Sequence, residues 1–278
     1  SLKTLMRWVN DRTTSLVRLP RWVPTPSNRE ATRALNRLNE LVEGLISRRR
    51  GREREYEDLL SMLMLAEDEE TGERMDNQQV HDEIMTFLMA GHETTANALT
   101  WTLYLVSRHP GVDEKLNAVT RDLDLRSGDP FDVFAENSYV EKVIKEGMRR
   151  YPPAWVVERT PVKEDVVDGY RIPEGSIVMI PSVTVHHHPE FWDQPAAFRP
   201  ERFSDEREDK AHSYRYFPFG GGKRLCIGRE FAMIEAKIIL SMINSRFRLH
   251  LVEEPPIDHE ALVTLQPRDG VPVRLEAR

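Results

Sequence analysis

The sequence predicts a mainly α fold with a small β portion, and three observations carry that prediction. The segment from Asn77 to about His109 is long, periodic and free of proline, and its centre, MTFLMAGHETTANALTWTLYLV, is apolar on most sides, as in a helix that crosses a core. After Pro152 and Pro153 the texture changes to short β-branched runs. One more helix is predicted over residues 227–246, with short strands from there to the end. No stretch has the composition of a linker, so residues 1–278 are read as one domain.

The elements follow in order. Residues 1–25 form a mixed segment closed by Pro20, Pro24 and Pro26. Asn28 is the expected cap of a helix running to about Arg50, with Leu35, Leu38, Leu41, Val42 and Leu45 along one side. The run RRRGREREYED alternates in sign and reads as a solvated helix end rather than a binding patch. A short apolar helix is expected over 58–66, then a polar loop. Pro110 and Gly111 end the long helix, and a shorter one runs from Gly111 to about Leu123. Ser138 and Glu141 have the spacing of a capping box for a helix that stops before Pro152. Strands are expected over 154–160, 165–172 and 176–183, with Pro173-Glu174-Gly175 as a tight turn. An irregular, aromatic and proline-rich stretch covers about 189–225.

Composition excludes some functions. Of 278 residues 40% are hydrophobic and 31% charged, an ordinary globular balance. The formal net charge of −7 gives no electrostatic support to nucleic-acid binding. No run approaches the ~20 apolar residues of a membrane span, and the opening SLKTLMRWVNDRTTS lacks the apolar core of a signal peptide. The chain starts at Ser1 rather than methionine, which reads as a processed or truncated amino terminus.

The single cysteine, Cys226, cannot form an internal disulfide, and one cysteine builds neither an iron–sulfur cluster nor a structural zinc site. It follows three consecutive glycines in Phe219-Gly220-Gly221-Gly222-Lys223-Arg224-Leu225-Cys226-Ile227-Gly228. Glycines let a backbone turn tightly and approach a flat ligand without Cβ clashes. A helix expected to begin near Ile227 puts Cys226 at its positive end, and Lys223 and Arg224 add charge; both favour a thiolate. Such a thiolate suits the axial position of haem iron. A buried structural cysteine would not need the glycines, and no histidine is singled out as partner for a cysteine hydrolase.

Phe219, Gly222, Arg224, Cys226 and Gly228 together resemble the haem loop of cytochromes P450, and three further signatures lie upstream in the family's order. In Ala90-Gly91-His92-Glu93-Thr94-Thr95, Gly91 costs the helix roughly 1 kcal/mol relative to alanine and makes room for a ligand. Alone, the motif reads equally as a helix kink with satisfied polar groups. With the haem loop it is similar to the family's oxygen groove, which implies that Thr94 hydrogen-bonds the oxygen being activated and Glu93 relays protons. Glu146 and Arg149 share a helical face. The resemblance implies that they are buried and joined by Arg202 of Phe198-Arg199-Pro200-Glu201-Arg202-Phe203, a structural triad bracing the cysteine loop. After Tyr151-Pro152-Pro153-Ala154-Trp155, Arg159 is expected, with Arg224, to face the haem propionates. The triplet His186-His187-His188 reads as loop, because adjacent histidines do not converge on one ion.

The resemblance implies the P450 fold with its amino-terminal part missing. It implies haem b, O2, a small apolar substrate (a fatty acid, terpenoid or polyketide) and electrons from NAD(P)H through a ferredoxin or flavodoxin/reductase-like protein. A basic patch of Lys142, Lys145, Arg150, Lys223 and Arg229 is the expected docking site for that donor. The texture is that of bacterial soluble members, so a cytoplasmic location is expected. A haem peroxygenase or rearranging enzyme of the same fold, and a non-catalytic fragment, stay open as alternatives.

Overall fold

In a computed structural model, residues 2–15, 19–123, 138–204, 214–252 and 256–278 are described. They divide into two compact units, Ser1–Glu93 and Thr94–Arg278.

The first unit begins with a helix where the sequence reading saw only a mixed segment. Helix α1 (Leu2–Thr14) lays Leu5 and Trp8 against Ala31, Ala34, Leu35 and Leu38 of α2 (Pro26–Arg49). Thr25, not Asn28, caps α2: its hydroxyl accepts from the Asn28 N–H at 3.1 Å, with Pro26 as the first helical residue, where a missing N–H costs nothing. Asn28 is buried and instead secures the preceding turn, donating to the carbonyls of Pro20 and Val23 and accepting from the Trp8 indole at 2.9 Å. Leu41 is exposed, because the inward stripe runs through Ala31, Ala34, Val42 and Ile46 and Leu41 lies about 100° off Val42. The alternating charge run folds back through a 3₁₀ turn (Glu53–Glu55), with Arg49 paired to Asp58, the N-cap of α3 (Leu59–Leu65). Val42, Ile46, Val80 and Ile84 form a second small core.

Helix α4 (Asn77–Ser107) starts in this unit and continues into the second, unbroken through Gly91. Asp76 and Gln79 open it with a reciprocal cap, each side chain accepting from the other's backbone N–H at 2.8 and 3.0 Å.

The second unit packs the rest of α4, α5 (Pro110–Thr120), α6 (Ser138–Arg150) and α8 (Arg229–Asn244) around Trp101, Tyr104, Leu116, Val140, Ile144 and Leu240. Helix α6 crosses α4 so closely that a Cβ at Gly147 would lie 2.2 Å from the Thr102 hydroxyl. Glu141 pairs with Lys145 and Lys237; the expected Ser138–Glu141 capping box lies outside the described residues.

Among the described residues, four antiparallel two-stranded sheets complete the unit: β1 (Val157–Arg159) with β4 (Val178–Ile180), β2 (Asp165–Val167) with β3 (Tyr170–Ile172), β5 (Phe247–Leu251) with β8 (Val273–Ala277), and β6 (His259–Ala261) with β7 (Leu265–Pro267). The run read as one strand over 165–172 is a hairpin whose turn residues Asp168 and Gly169 both have positive φ, the geometry of a type I′ turn. Beyond Pro181 the chain turns helical as α7 (Ser182–His186), so β4 ends earlier than expected.

Candidate functional site

Helix spacing places Glu146 and Arg149 one turn apart on the inward face of α6, with no side-chain exposure. The guanidinium grips the carboxylate with two bonds, Nε to Oε2 at 2.7 Å and Nη2 to Oε1 at 2.9 Å. A 3₁₀ turn (Pro200–Phe203) brings in Arg202, whose Nε donates to Oε1 at 3.0 Å, and the Arg199 N–H adds a bond at 2.9 Å. One carboxylate thus serves two guanidiniums. The surplus donors go to backbone carbonyls: Arg149 to His186, Pro195 and Ala197, and Arg202 to Asp193. Burial pulls Arg202 below its ordinary pKa, and the Glu146 carboxylate opposes that pull. Trp192, buried beside them, faces Arg149, Arg202 and Arg215 at 5.1–5.8 Å.

The cysteine loop is built differently. Gly220 donates to the Phe217 carbonyl at 3.0 Å, and Gly220 and Gly222 take positive φ that side chains rarely adopt. A 3₁₀ turn (Gly222–Arg224) follows, and the Cys226 N–H closes the loop on the Phe219 carbonyl at 3.0 Å. The Phe219 ring packs against the main core. Helix α8 begins at Arg229 with Gly228 as N-cap, so Cys226 lies two residues outside the helix rather than at its first turn; the positive φ at Gly220 and Gly222 belongs to the loop, and helical geometry starts only after Gly228. Cys226 is exposed, as are the apolar side chains of Leu225, Ile227 and Phe231 around it. A Cβ at Gly222 would meet nothing within 4 Å. An accessible sulfur on an open glycine turn with an apolar surround fits a flat, mostly apolar prosthetic group ligated through sulfur. The exposed Arg224 beside it suits acidic edge groups.

The other predicted residues sit as follows. Gly91, Glu93 and Thr94 lie within about one turn of α4, the first two in the first unit and Thr94 opening the second; a Cβ at Gly91 would also meet nothing within 4 Å. Arg159 is exposed on β1, bonded to the Glu158 carbonyl at 2.8 Å. Tyr151 stacks on Trp101 at 4.2 Å, and the Trp155 indole donates to the Leu262 carbonyl at 2.9 Å.

The expected basic patch is smaller than its sequence. Lys145 is paired with Glu141, Arg229 with Glu230, and Arg150 is half-buried and bonded to the Pro195 carbonyl. Lys142, Lys223 and Arg150 make no ion pair with the described residues, and of these Arg150 is the one tied to a backbone carbonyl. In the histidine triplet, His187 bonds the Val183 carbonyl, His188 accepts from the Glu190 N–H, and His186 is buried, accepting from the Phe217 N–H at 3.0 Å. That bond reaches the cysteine loop, and nothing in three identical neighbours marks His186 as the one that makes it.

The family model described as "Cytochrome P450" matches residues 2–273. Among curated proteins, cyclooctatin synthase of Streptomyces melanosporofaciens is 39% identical over 82% of this chain and 50% of its own length. Pentalenene oxygenase of Streptomyces avermitilis is 33% identical over 93% of this chain and 57% of its own. The chain therefore spans about half the length of the curated relatives it matches. A crystal structure of the cytochrome P450DA heme domain superposes on the whole chain with a TM-score of 0.86 at 33% identity, covering 61% of that domain. With the glycine–cysteine loop, the Glu-x-x-Arg pair and the long helix all in the matched region, the chain belongs to the cytochrome P450 family, whose members hold haem.

Proposed function

We propose that this chain is the haem-bearing part of a monooxygenase that inserts one oxygen atom of O2 into an apolar organic substrate. The observation that carries the reading is the exposed Cys226, on a glycine loop closed by the Phe219 carbonyl. Bound there, haem supplies the redox-active iron at which O2 is reduced and activated. Cys226 would supply the sulfur ligand, and Phe219, Gly222 and Gly228 would shape the turn that presents it. Arg159 and Arg224 hold the two propionates of haem b. On α4, Gly91 would leave room at the helix surface, the Thr94 hydroxyl would donate a hydrogen bond toward O2, and Glu93 would hold a proton for relay. Glu146, Arg149 and Arg202 work at a distance, as a brace. The whole of 1–278 acts as one domain, a reading supported by a family match that runs through both units.

Among fatty acids, terpenoids and polyketides, the named relatives favour a terpenoid-like hydrocarbon. Electrons come from NAD(P)H through a ferredoxin or flavodoxin/reductase-like protein, with Lys142 and Lys223, which make no ion pair among the described residues, available for its docking. No described helix is long and apolar enough to cross a membrane, and a cytoplasmic location is proposed. The test is the reduced, CO-bound spectrum of the purified protein supplied with haem, beside Cys226→Ala. A thiolate-type band lost in the variant is expected. A chain that folds without taking up haem would turn the reading to a non-catalytic fragment, and turnover with peroxide but not NAD(P)H to a peroxygenase.

A further inference from the structure

His186 ends α7 with no solvent exposure, between the charge network and the segment that leads into the cysteine loop. Its backbone carbonyl accepts from Arg149 Nη1 at 2.7 Å. Its ring nitrogen Nε2 accepts from the Phe217 N–H at 3.0 Å. The Phe217 carbonyl in turn accepts from Gly220, and the Phe219 carbonyl from Cys226, each at 3.0 Å. A short relay of bonds therefore runs from the Glu146–Arg149 pair through one histidine to the cysteine backbone.

We infer that His186 is a positioning residue for Cys226, a neutral hydrogen-bond acceptor that fixes the loop to the buried charge network through the Phe217 amide. The ring can do this only with Nε2 unprotonated, which puts the proton on Nδ1. Burial, reinforced by the charge of Arg149, pushes its pKa down to about 3, so the acceptor persists at neutral pH. The ring also packs against Tyr216 and Phe217, both at 5.3 Å between centroids. The neighbours of Phe217 are held by other means: Tyr216 donates to the Lys145 carbonyl at 3.0 Å, and Arg215 lies over Trp192. Phe217 N–H has His186 as its acceptor, and a buried amide without a partner is costly.

The consequence for haem ligation rests on the proposed role of Cys226; the tether itself does not. The test compares His186→Leu, which has no acceptor, with His186→Gln, whose Oε1 lies as many bonds from Cα as Nε2 does. In the purified chain, amide hydrogen exchange at Phe217 is followed with Ile144 as an internal reference, together with the alkylation rate of Cys226. His186→Leu is expected to speed exchange at Phe217 on the order of tenfold and to change the alkylation rate, while Ile144 stays protected and His186→Gln matches the parent. In the haem-loaded protein, the leucine variant should lose its thiolate-type CO band faster than the glutamine variant. If leucine leaves Phe217 as protected as in the parent, or glutamine fails to protect it, the inference is overturned. Should the leucine variant not fold, glutamine decides alone by the same criterion. A parent chain without a thiolate-type band would sink the proposed function but leave the exchange result to judge the tether.

Discussion

Arg52 and Glu55 lie three residues apart and bond at 2.7 Å; Glu146 and Arg149 lie three residues apart and also bond at 2.7 Å. The first pair has more than half of each side chain in solvent, and the second has none. Water screens the first and competes for its donors, so it contributes little. The second has no water to fall back on. Its carboxylate accepts from two guanidiniums and a backbone amide, and its arginine is held by three carbonyls besides. Two identical spacings thus differ in what would be stranded if one partner left. The exposed pair decorates a turn, whereas the buried one organises the segments around it, including the approach to Cys226.

The contrast is broken most severely at its centre. Glu146→Ala leaves two buried guanidiniums facing each other and should cost about 3–5 kcal/mol, seen as a lower denaturation midpoint and loss of soluble, haem-loaded protein. A normally stable variant would reduce this pair to the status of Arg52–Glu55. Next comes acid. His186 titrates near 6.5 when unfolded and is held down to about 3 when folded, so as pH falls through that window the unfolded state takes up the proton and the folded state does not. Stability should therefore fall with pH between these values, by up to about 1.4 kcal/mol per unit, and His186→Gln should flatten the curve there. Gly147→Ala drives a methyl into Thr102 and should cost about 1–3 kcal/mol, partly recovered in a double variant with Thr102→Ala. Thr25→Ala, which removes the cap of α2, should cost about 1 kcal/mol. Glu55→Gln should move the midpoint by less than about 0.5 kcal/mol-equivalent; a larger change would show the exposed pair to be more than decoration.

Much of the helical frame could be read from periodicity, because α4 and α6 carry long, proline-bounded patterns. The candidate site residues could be named because most of them belong to a short motif with its own spacing. What escaped was decided by particular local contests. Thr25 and Asn28 are both good caps, and only Pro26 between them settles which one serves. Asp168-Gly169 is a hairpin turn signal that a β-branched context concealed. The cysteine loop keeps two more residues out of α8 than its apolar run suggests, since Gly228 takes the cap. Burial was the least legible property. Neither the difference between two pairs of equal spacing nor the choice of His186 among three histidines is written in local sequence, because both depend on segments tens of residues away.

The four sheets described above each have two strands, so every described strand is an edge. An edge strand shows a row of unpaired N–H and C=O groups to whatever comes near. Around β1 and β4 that row is accompanied by exposed Val162, Ile177, Met179 and Ile180. Such rows are templates for strand addition, so self-association of purified chain at high concentration is the expected outcome, checked by sedimentation over a concentration series. Protein concentration is therefore a variable to control in every measurement above, and a charged substitution such as Met179→Lys is the natural means of keeping the chain monomeric while the cysteine loop is studied.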